Sequence, residues 1–306
     1  GERIDTMQYH IPLGEGRPLR LDYTLDSGQV FRWRREEDGR WYGTIRGTGL
    51  ALLQEGSHLV AEAEGEPITS GEVVRFLGLD DPLSEIRAFL SRDPVLARAF
   101  AAVYGLRLVR QDPWEGLVAF ICSSHNAVFR IQRMMGCLAE RFGRRLRVAG
   151  RTVHTFPPAR VIASLELADL AECRLGYRDA YVLEAARMVA RGEIDPYALV
   201  DAPAEEARTA LMKVPGVGPK VSDCILLLAL GKKECTFPVD VWVRRAVLRH
   251  YRDAVRRATG VELATEEKGL TMRHYQAIRE WAQQAFAPYV GYAQTYLFLA
   301  TRLGAI

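Results

Sequence analysis

Lys220 and Asp240 are the two residues whose types and spacing could do chemistry together. The sequence predicts that Lys220 is the second residue of a helix beginning at Pro219, a position that tolerates proline. A helix N-terminus disfavours an ammonium ion, and imine (Schiff-base) chemistry needs a lysine in its neutral amine form. Asp240 follows twenty residues later and would present a carboxylate near that amine. The pair therefore indicates nucleophilic catalysis through an imine.

Each of these two residues also has an ordinary structural interpretation. Lys220 adjoins a glycine turn between two predicted helices, which is also a plain DNA-binding module, so the lysine could simply contact a phosphate. Asp240 precedes a predicted helix over Val241–Tyr251, where aspartate is a common N-cap. The two residues alone leave both catalysis and simple DNA binding open.

The helical hairpin that would position Lys220 spans residues 204–231. Its first helix is predicted over residues 204–212 and its second over residues 219–230. Gly216 and Gly218 lie in the turn between them, where glycine adopts positive φ with little strain. The free N–H groups of such a turn, at the positive end of a helix, suit a phosphate.

Short alternating segments in the first part of the chain predict an antiparallel sheet, and helices follow from about residue 71. We therefore predict an α+β fold, with an antiparallel sheet domain and flanking helices over residues 1–110. An all-helical region that contains the hairpin is predicted over residues 111–306. The predicted strands are His10–Pro12, Leu19–Leu25, Gln29–Arg35, Arg40–Arg46, Ala51–Gln54 and His58–Glu62.

Composition excludes several classes of protein. The 306 residues are 48% hydrophobic, yet no apolar run reaches the ~18 residues of a membrane span, and we expect no signal peptide. The net charge of +3 is mildly basic and compatible with nucleic acid. The five cysteines lack the spacing of an iron–sulfur or zinc site, and we expect free thiols in a reducing compartment.

Five separated segments together resemble the eukaryotic-type 8-oxoguanine DNA glycosylases, a branch of the helix-hairpin-helix DNA glycosylase superfamily. They occur in that family's order and span nearly the whole chain. The resemblance implies a bifunctional glycosylase/AP lyase of base excision repair that flips 8-oxoguanine out of duplex DNA. The segments are Ser27–Trp33, Phe120–Ser124 with Asn126 and Arg130, Leu175–Arg178, the hairpin with Pro238–Asp240, and Gly291–Gln294 with Leu297–Phe298.

The resemblance also implies which residues contact the DNA. The carbonyl of Gly28 would accept a hydrogen bond from the N7–H that 8-oxoguanine has and guanine lacks. Phe298 and Cys224 would sandwich the base, while Gln294 would bond its Watson–Crick edge. Further DNA contacts are implied for Tyr177 as a wedge, for Arg130 and Arg178 at the orphaned cytosine, for His125 and Asn126 in the loop nearby, and for Gly216 and Gly218 in the hairpin turn.

The implied reaction gives Lys220 and Asp240 distinct roles. Lys220 would attack the sugar C1′ as the base leaves, and Asp240 would stabilise the positive charge that develops on the sugar. Ring opening gives an imine that acidifies the C2′ proton, so that the 3′-phosphate leaves by β-elimination. This route requires neither a metal nor an organic cofactor. The implied partner is double-stranded DNA containing 8-oxoguanine, opposite cytosine, and we expect a monomer.

Three residues depart from the family's pattern. His125 stands where the family commonly has an asparagine beside the orphaned cytosine. Trp242 replaces a histidine that usually contacts a phosphate near the flipped nucleotide, and Thr301 lacks the carboxylate usual at its position. Archaeal and bacterial members vary at such places, so we expect a prokaryotic member that works in the cytoplasm at the nucleoid.

Two other functions remain open from the sequence. A monofunctional alkyl-base DNA glycosylase would use Asp240 without needing Lys220, so the presence of Lys220 argues against it. A non-catalytic helix-hairpin-helix DNA-binding protein would leave Lys220, Asp240 and the distant Gln294–Phe298 segment unexplained. Borohydride trapping of an imine on different duplexes distinguishes all three functions.

Overall fold

A five-stranded antiparallel sheet forms the N-terminal part of the molecule. The computed structural model describes residues 6–264 and 269–306, and the strand order of the sheet is β1-β5-β4-β3-β2. Every pair of neighbouring strands is antiparallel, which confirms the predicted sheet and the α+β class. The strands are β1 Met7–Pro12, β2 Arg34–Arg35, β3 Trp41–Ile45, β4 Thr48–Glu55 and β5 His58–Gly65.

The predicted strand Leu19–Leu25 is wrong. The structure has a short helix there, α1, Leu21–Leu25. Leu21 and Leu25 are both buried, and residues four apart share one face of a helix. The apolar residues of this segment fit the period of a strand as well as that of a helix, and packing against the sheet selects the helix.

The predicted strand Gln29–Arg35 is also wrong over most of its length. Only Arg34–Arg35 pairs with β3, and the residues before them form an irregular loop. Along this loop Val30 packs into the core beside the sheet, whereas Phe31 packs into the core among the helices. Burial of neighbouring apolar residues in two different cores imitates a strand that is covered on both faces.

Helices make up most of the chain after residue 69. Among the described residues, no helix has both the length and the apolarity needed to cross a bilayer. The predicted absence of a signal peptide concerns the start of the chain, where residues 1–5 lie outside the described residues. The helices are α2 Ser70–Phe76, α3 Leu83–Leu90, α4 Pro94–Val103, α5 Pro113–Ser123, α6 Val128–Phe142, α7 Ala159–Ala163, α8 Leu167–Leu170, α9 Arg178–Ala190, α10 Ala204–Leu211, α11 Pro219–Leu228, α12 Val241–His250, α13 Arg252–Thr259, α14 Met272–Phe286 and α15 Val290–Arg302.

One hydrophobic core joins helices from both sides of residue 110, where the sequence predicts a domain boundary. Leu83 of α3 and Phe100 of α4 are buried in it together with Leu117 of α5. The ring of Phe100 stacks on Tyr296 of α15, with 3.8 Å between ring centroids. The C-terminal helix is therefore held in place by residues far away in the sequence.

The region predicted to be all-helical also contains a β hairpin. Its strands are β6 Arg145–Val148 and β7 Arg151–His154, which pair with each other only. Val148 is buried beside Tyr42 and Ala51 of the N-terminal sheet. Arg145 and Arg147 of β6 are both exposed. Exposed arginines are as typical of the solvated face of a helix as of a strand, so the sequence did not indicate this hairpin.

The expectation that all five cysteines are free thiols is wrong for two of them. Cys137 of α6 and Cys173 form a disulfide, with 5.4 Å between their Cα atoms. Cys122, Cys224 and Cys235 are free. The pairing could not be predicted because the two residues are 36 positions apart and meet only when α6 packs against the 3₁₀ turn at Ala171–Cys173.

Loss of this disulfide is expected to lower the free energy of unfolding by about 2–4 kcal/mol, because the bond restricts the unfolded chain. Thermal unfolding of wild type and the Cys137→Ser variant measures the difference. Thiol titration of the unreduced, unfolded wild type is expected to detect the free Cys122, Cys224 and Cys235 only. Five reactive thiols in that titration would contradict the pairing.

Candidate active site

The predicted helical hairpin is present, with α10 and α11 joined by a tight turn. Gly216 has φ +85°, and a Cβ added there would lie only 2.7 Å from the Tyr181 ring, so this position requires glycine. Gly218 instead has φ −95° and N-caps α11, with open space around it. Gly218 therefore leaves the start of α11 accessible, while Gly216 shapes the turn. Lys220 is the second residue of α11, as predicted.

A cavity of about 140 Å³, called here the base cavity, lies between the N-terminal loop, α5, α11 and α15. It brings together all four residues predicted to bind the lesion base and both residues predicted to be catalytic. Those six residues come from segments spread over most of the chain. They are Gly28, Cys224, Gln294, Phe298, Lys220 and Asp240.

Gly28 is fixed at the wall of the base cavity by its neighbour Gln29. The buried amide of Gln29 donates to the Arg107 carbonyl oxygen at 2.7 Å and accepts from the Val109 N–H at 2.9 Å. Gly28 itself has φ +81°, and a Cβ added there would lie 3.9 Å from Cζ of Phe298. Phe298 and Val128 therefore both lie close to Gly28, which has no side chain of its own.

Gln294 of α15 is buried and also lines the cavity. Its Nε2 donates to the Pro238 carbonyl oxygen at 3.0 Å, and its Oε1 accepts from the Thr295 hydroxyl at 3.3 Å. These bonds orient the amide and tie it to the segment that leads into Asp240. Thr295 was not predicted as a site residue, and only its position beside Gln294 in the sequence could have indicated it.

Asp240 combines the two interpretations that the sequence left open. One carboxylate oxygen accepts from the Val243 N–H at 2.8 Å, so Asp240 is the N-cap of α12. Its side chain also lines the base cavity. Burial raises the pKa of Asp240 above the usual aspartate range, although the positive charge of Lys220 acts in the opposite direction. The carboxylate is therefore poorly solvated and would gain from a positive charge placed beside it.

Cys224 is a second potential nucleophile in the same cavity, one helical turn after Lys220. Burial raises the pKa of its thiol to about 12. At neutral pH the side chain is consequently an uncharged thiol, which is a poor nucleophile and a good apolar wall. This leaves Lys220 as the nucleophile of the cavity.

A wider outer cavity, of about 730 Å³, opens next to the base cavity and shares Lys220, Asp240 and Phe298 with it. The two hairpin glycines, Gly216 and Gly218, lie on its wall, as predicted for backbone contacts to DNA. The loop at residues 123–128 and the residues Trp242 and Arg302 also line it. Arg302 was missed by sequence reasoning, although its spacing of four residues from Phe298 indicates the same helix face.

The loop between α5 and α6 carries two of the predicted DNA contacts. Asn126 fills the break between the helices, because its Nδ2 donates to the Cys122 carbonyl oxygen at 3.1 Å. His125 is exposed and has φ +48°, a left-handed conformation that few residues other than glycine adopt. Both residues line the outer cavity.

Arg178 holds this loop in place. Its guanidinium is buried and donates to the carbonyl oxygens of Ser124 and His125. The neighbouring Tyr177 is 56% exposed, and its ring lies under the same guanidinium at 4.4 Å. Arg130 is exposed near the start of α6, with its guanidinium 5.7 Å from the Phe129 ring. Of the two arginines predicted at the orphaned cytosine, Arg130 is thus the accessible one.

Two family models match consecutive parts of the chain. Residues 118–271 match the HhH-GPD superfamily of base excision DNA repair proteins, and residues 11–117 match the N-terminal domain of 8-oxoguanine DNA glycosylase. The solved structure of MBOgg1 with a low-affinity DNA ligand is 31% identical, with a TM-score of 0.84 over 99% of this chain and 100% of that one. The chain belongs to the 8-oxoguanine DNA glycosylase family.

Two further members of the family resemble the chain over most of its length. The N-glycosylase/DNA lyase of Saccharomyces cerevisiae is 29% identical, over 92% of this chain and 82% of its own length. The Clostridium acetobutylicum 8-oxoguanine glycosylase/lyase, solved with double-stranded DNA containing cytosine opposite 8-oxoguanine, is 28% identical. Its structure has a TM-score of 0.84 over 100% of this chain and 99% of that one.

The departures from the family's pattern have clear places in the structure. Trp242 lines the outer cavity, and the guanidinium of Arg245 lies 4.7 Å from its ring. Thr301 is buried, and its hydroxyl has no hydrogen-bond partner among the described residues. Thr301 therefore points into the core rather than towards the DNA face of this glycosylase-family member.

Proposed function

We propose that this chain is a bifunctional DNA glycosylase/AP lyase that excises 8-oxoguanine in base excision repair. The observation that carries the proposal is the base cavity, in which four base-contacting groups meet Lys220 and Asp240. A volume of about 140 Å³ accommodates roughly ten water-sized atoms, since each needs about 10–15 Å³. One purine base is of that size.

The flipped base would lie between Phe298 and the thiol of Cys224. Gln294, held by Pro238, presents its amide to the Watson–Crick edge. Gly28 has no side chain, so its carbonyl can approach the N7–H of 8-oxoguanine closely. Guanine lacks that hydrogen and would leave the carbonyl unpaired, which disfavours the undamaged base.

The chemistry would proceed through Lys220. Its amine attacks C1′ while the C1′–N9 bond breaks, and the departing base takes up a proton. The sugar ring then opens to an imine between Nζ and C1′, the C2′ proton is removed, and the 3′ C–O bond breaks to release the phosphate. Asp240 would stabilise the positive charge on the sugar in the first step.

Borohydride trapping of wild-type protein tests this function. Reduction of the imine should yield a stable protein–DNA adduct with a duplex containing 8-oxoguanine, and no adduct with a duplex containing 3-methyladenine or no lesion. A monofunctional alkyl-base glycosylase would release 3-methyladenine without any adduct. A non-catalytic DNA-binding protein would bind all three duplexes and release nothing, and either result would overturn the proposal.

Cytosine opposite the lesion is expected to give the fastest excision, because Arg130 would donate to cytosine O2 and N3. Adenine presents an amino donor at its pairing edge, and each poorly matched base costs about 1–3 kcal/mol, or roughly ten- to a hundredfold. Single-turnover excision opposite each of the four bases measures the preference in wild type and Arg130→Ala. Equal wild-type rates opposite cytosine and adenine would refute the preference, and a preference retained in Arg130→Ala would refute the role of Arg130.

The protein is proposed to act as a monomer on double-stranded DNA, since both cavities are lined by residues of one chain. Sedimentation of the free protein and of its complex with a lesion duplex tests this state. A stable dimer in the complex would refute it.

A further inference from the structure

Three residues of α15 form a row that runs from one cavity to the next. Gln294, Phe298 and Arg302 are spaced four residues apart and therefore lie on one helix face. Gln294 lines the base cavity, Phe298 lines both cavities, and Arg302 lines the outer cavity. At 1.5 Å per residue, the row is roughly 12 Å long.

The order of this row matches the order of parts in a flipped nucleotide. The base lies at Gln294 and Phe298 in the proposed function, and the sugar carbon C1′ lies at Lys220. The sugar–phosphate backbone must then leave through the outer cavity, which Lys220 shares with Arg302. Arg302 therefore lies next to the place where the backbone of the flipped nucleotide would pass.

The charged side chains that line the outer cavity favour Arg302 as the group that would meet this backbone. Lys220 and Arg302 are the lysine and arginine side chains of its lining, and Lys220 is engaged at C1′. Within residues 6–264 and 269–306, the side chain of Arg302 takes part in no observed ion pair or hydrogen bond, and it is half-buried. The neighbouring Thr301 is buried, and the Trp242 ring brings no net charge. Arg245, whose guanidinium lies 4.7 Å from the Trp242 ring, does not line the cavity itself.

We propose that Arg302 binds a backbone phosphate beside the flipped nucleotide and so holds C1′ at Lys220. This role rests on the proposed function, because it requires a nucleotide in the base cavity. Arg302 would be a DNA-binding and positioning residue rather than a catalytic one. A guanidinium suits it because its planar fork binds phosphate oxygens in pairs.

Binding of Arg302→Gln to two uncleavable duplexes tests this role, one with a tetrahydrofuran abasic analogue and one undamaged. On the abasic duplex, the slope of log K against log salt concentration should decrease by about one relative to wild type. Affinity for the same duplex should fall by about ten- to a hundredfold. The undamaged duplex, whose nucleotides stay stacked, should show a much smaller change.

Arg35→Gln is the matched control, because Arg35 is an exposed arginine on the edge strand β2 and lines neither cavity. It should leave the difference between the two duplexes unchanged. Arg302→Lys keeps the charge and should restore the salt slope. Arg302→Met removes the charge but keeps an apolar stem of similar length, and it serves if Arg302→Gln does not fold. Equal losses on both duplexes, or no loss on either, would overturn the role of Arg302.

These binding results are independent of lesion recognition. If wild type traps no adduct with 8-oxoguanine, the proposed function fails, whatever Arg302→Gln does on the abasic duplex. If trapping succeeds but the abasic duplex shows no effect of Arg302→Gln, only the phosphate contact fails. The single-turnover rate of base excision should also fall in Arg302→Gln while the melting temperature stays within the range of Arg35→Gln.

Discussion

Lys220→Gln is expected to abolish both imine trapping and strand cleavage on a duplex containing 8-oxoguanine. Glutamine has a similar length and keeps a polar group at the second position of α11, but its amide cannot attack C1′. DNA binding should survive, because the hairpin glycines and the outer cavity remain. Borohydride trapping and a binding assay on the same duplex measure the two properties separately.

Lys213→Gln is the control for this experiment. Lys213 is exposed just after α10, does not line either cavity, and is seven residues from Lys220. It should trap imine at the wild-type level. Trapping that persists in Lys220→Gln and disappears in Lys213→Gln would show that the nucleophile has been assigned to the wrong lysine.

Cys224 gives this prediction a second test. Its thiol is a second potential nucleophile in the base cavity, and burial raises its pKa to about 12. Cys224→Ala should therefore retain imine trapping while it loses part of the contact to the base. A variant that binds the lesion normally but forms no adduct would contradict the assignment of Lys220 as sole nucleophile.

Local spacing was enough to predict the hairpin and the position of Lys220. The turn glycines, the proline at the start of α11 and the lysine after it are neighbours in the sequence, so their geometry follows from short-range rules. The same holds for Asp240, whose place before α12 predicts the N-cap that the structure contains.

The gathering of distant residues in the base cavity does not follow from such rules. Gly28 and Gln294 come within one cavity only because α15 packs on α4 and the loop at Gln29 bonds to Arg107 and Val109. Nothing in the local sequence predicts those contacts. The resemblance to a known family predicted the set of residues, and the structure supplies the physical reason for it.

Other features escaped prediction because a local pattern was ambiguous. The apolar residues Val30, Phe31 and Trp33 are buried in two separate cores, so the segment resembled a strand with both faces covered. Arg178 is predicted to contact the orphaned cytosine, and the structure adds hydrogen bonds from its guanidinium to the carbonyl oxygens of Ser124 and His125. Neither the second core nor these carbonyl partners can be inferred from the neighbouring residues.

Asp240→Asn is expected to lower the excision rate by about 100-fold or more while the protein stays as stable as wild type. The rate falls because the positive charge developing on the sugar loses its partner in a poorly solvated cavity. Stability is retained because the asparagine Oδ1 can still accept from the Val243 N–H as an N-cap. Single-turnover excision and thermal unfolding measure the two effects. Asp240→Ala also loses the N-cap, so its free energy of unfolding should be about 1 kcal/mol lower than that of the wild type.

The raised pKa of Asp240 fixes the sign of the pH effects. Since the folded state holds this proton more tightly than the unfolded state, the ionised carboxylate opposes folding. That effect is absent below the ordinary aspartate pKa near 4 and grows as the pH rises through the folded value. At neutral pH the asparagine variant should therefore melt at the wild-type temperature or slightly above it.

The excision rate of the wild type should fall on the acid side as Asp240 becomes protonated, at a pH above the usual aspartate range. The excision rate of Asp240→Asn should not show this fall. A large loss of stability with near-normal activity per folded molecule would instead mean that Asp240 is only a helix cap.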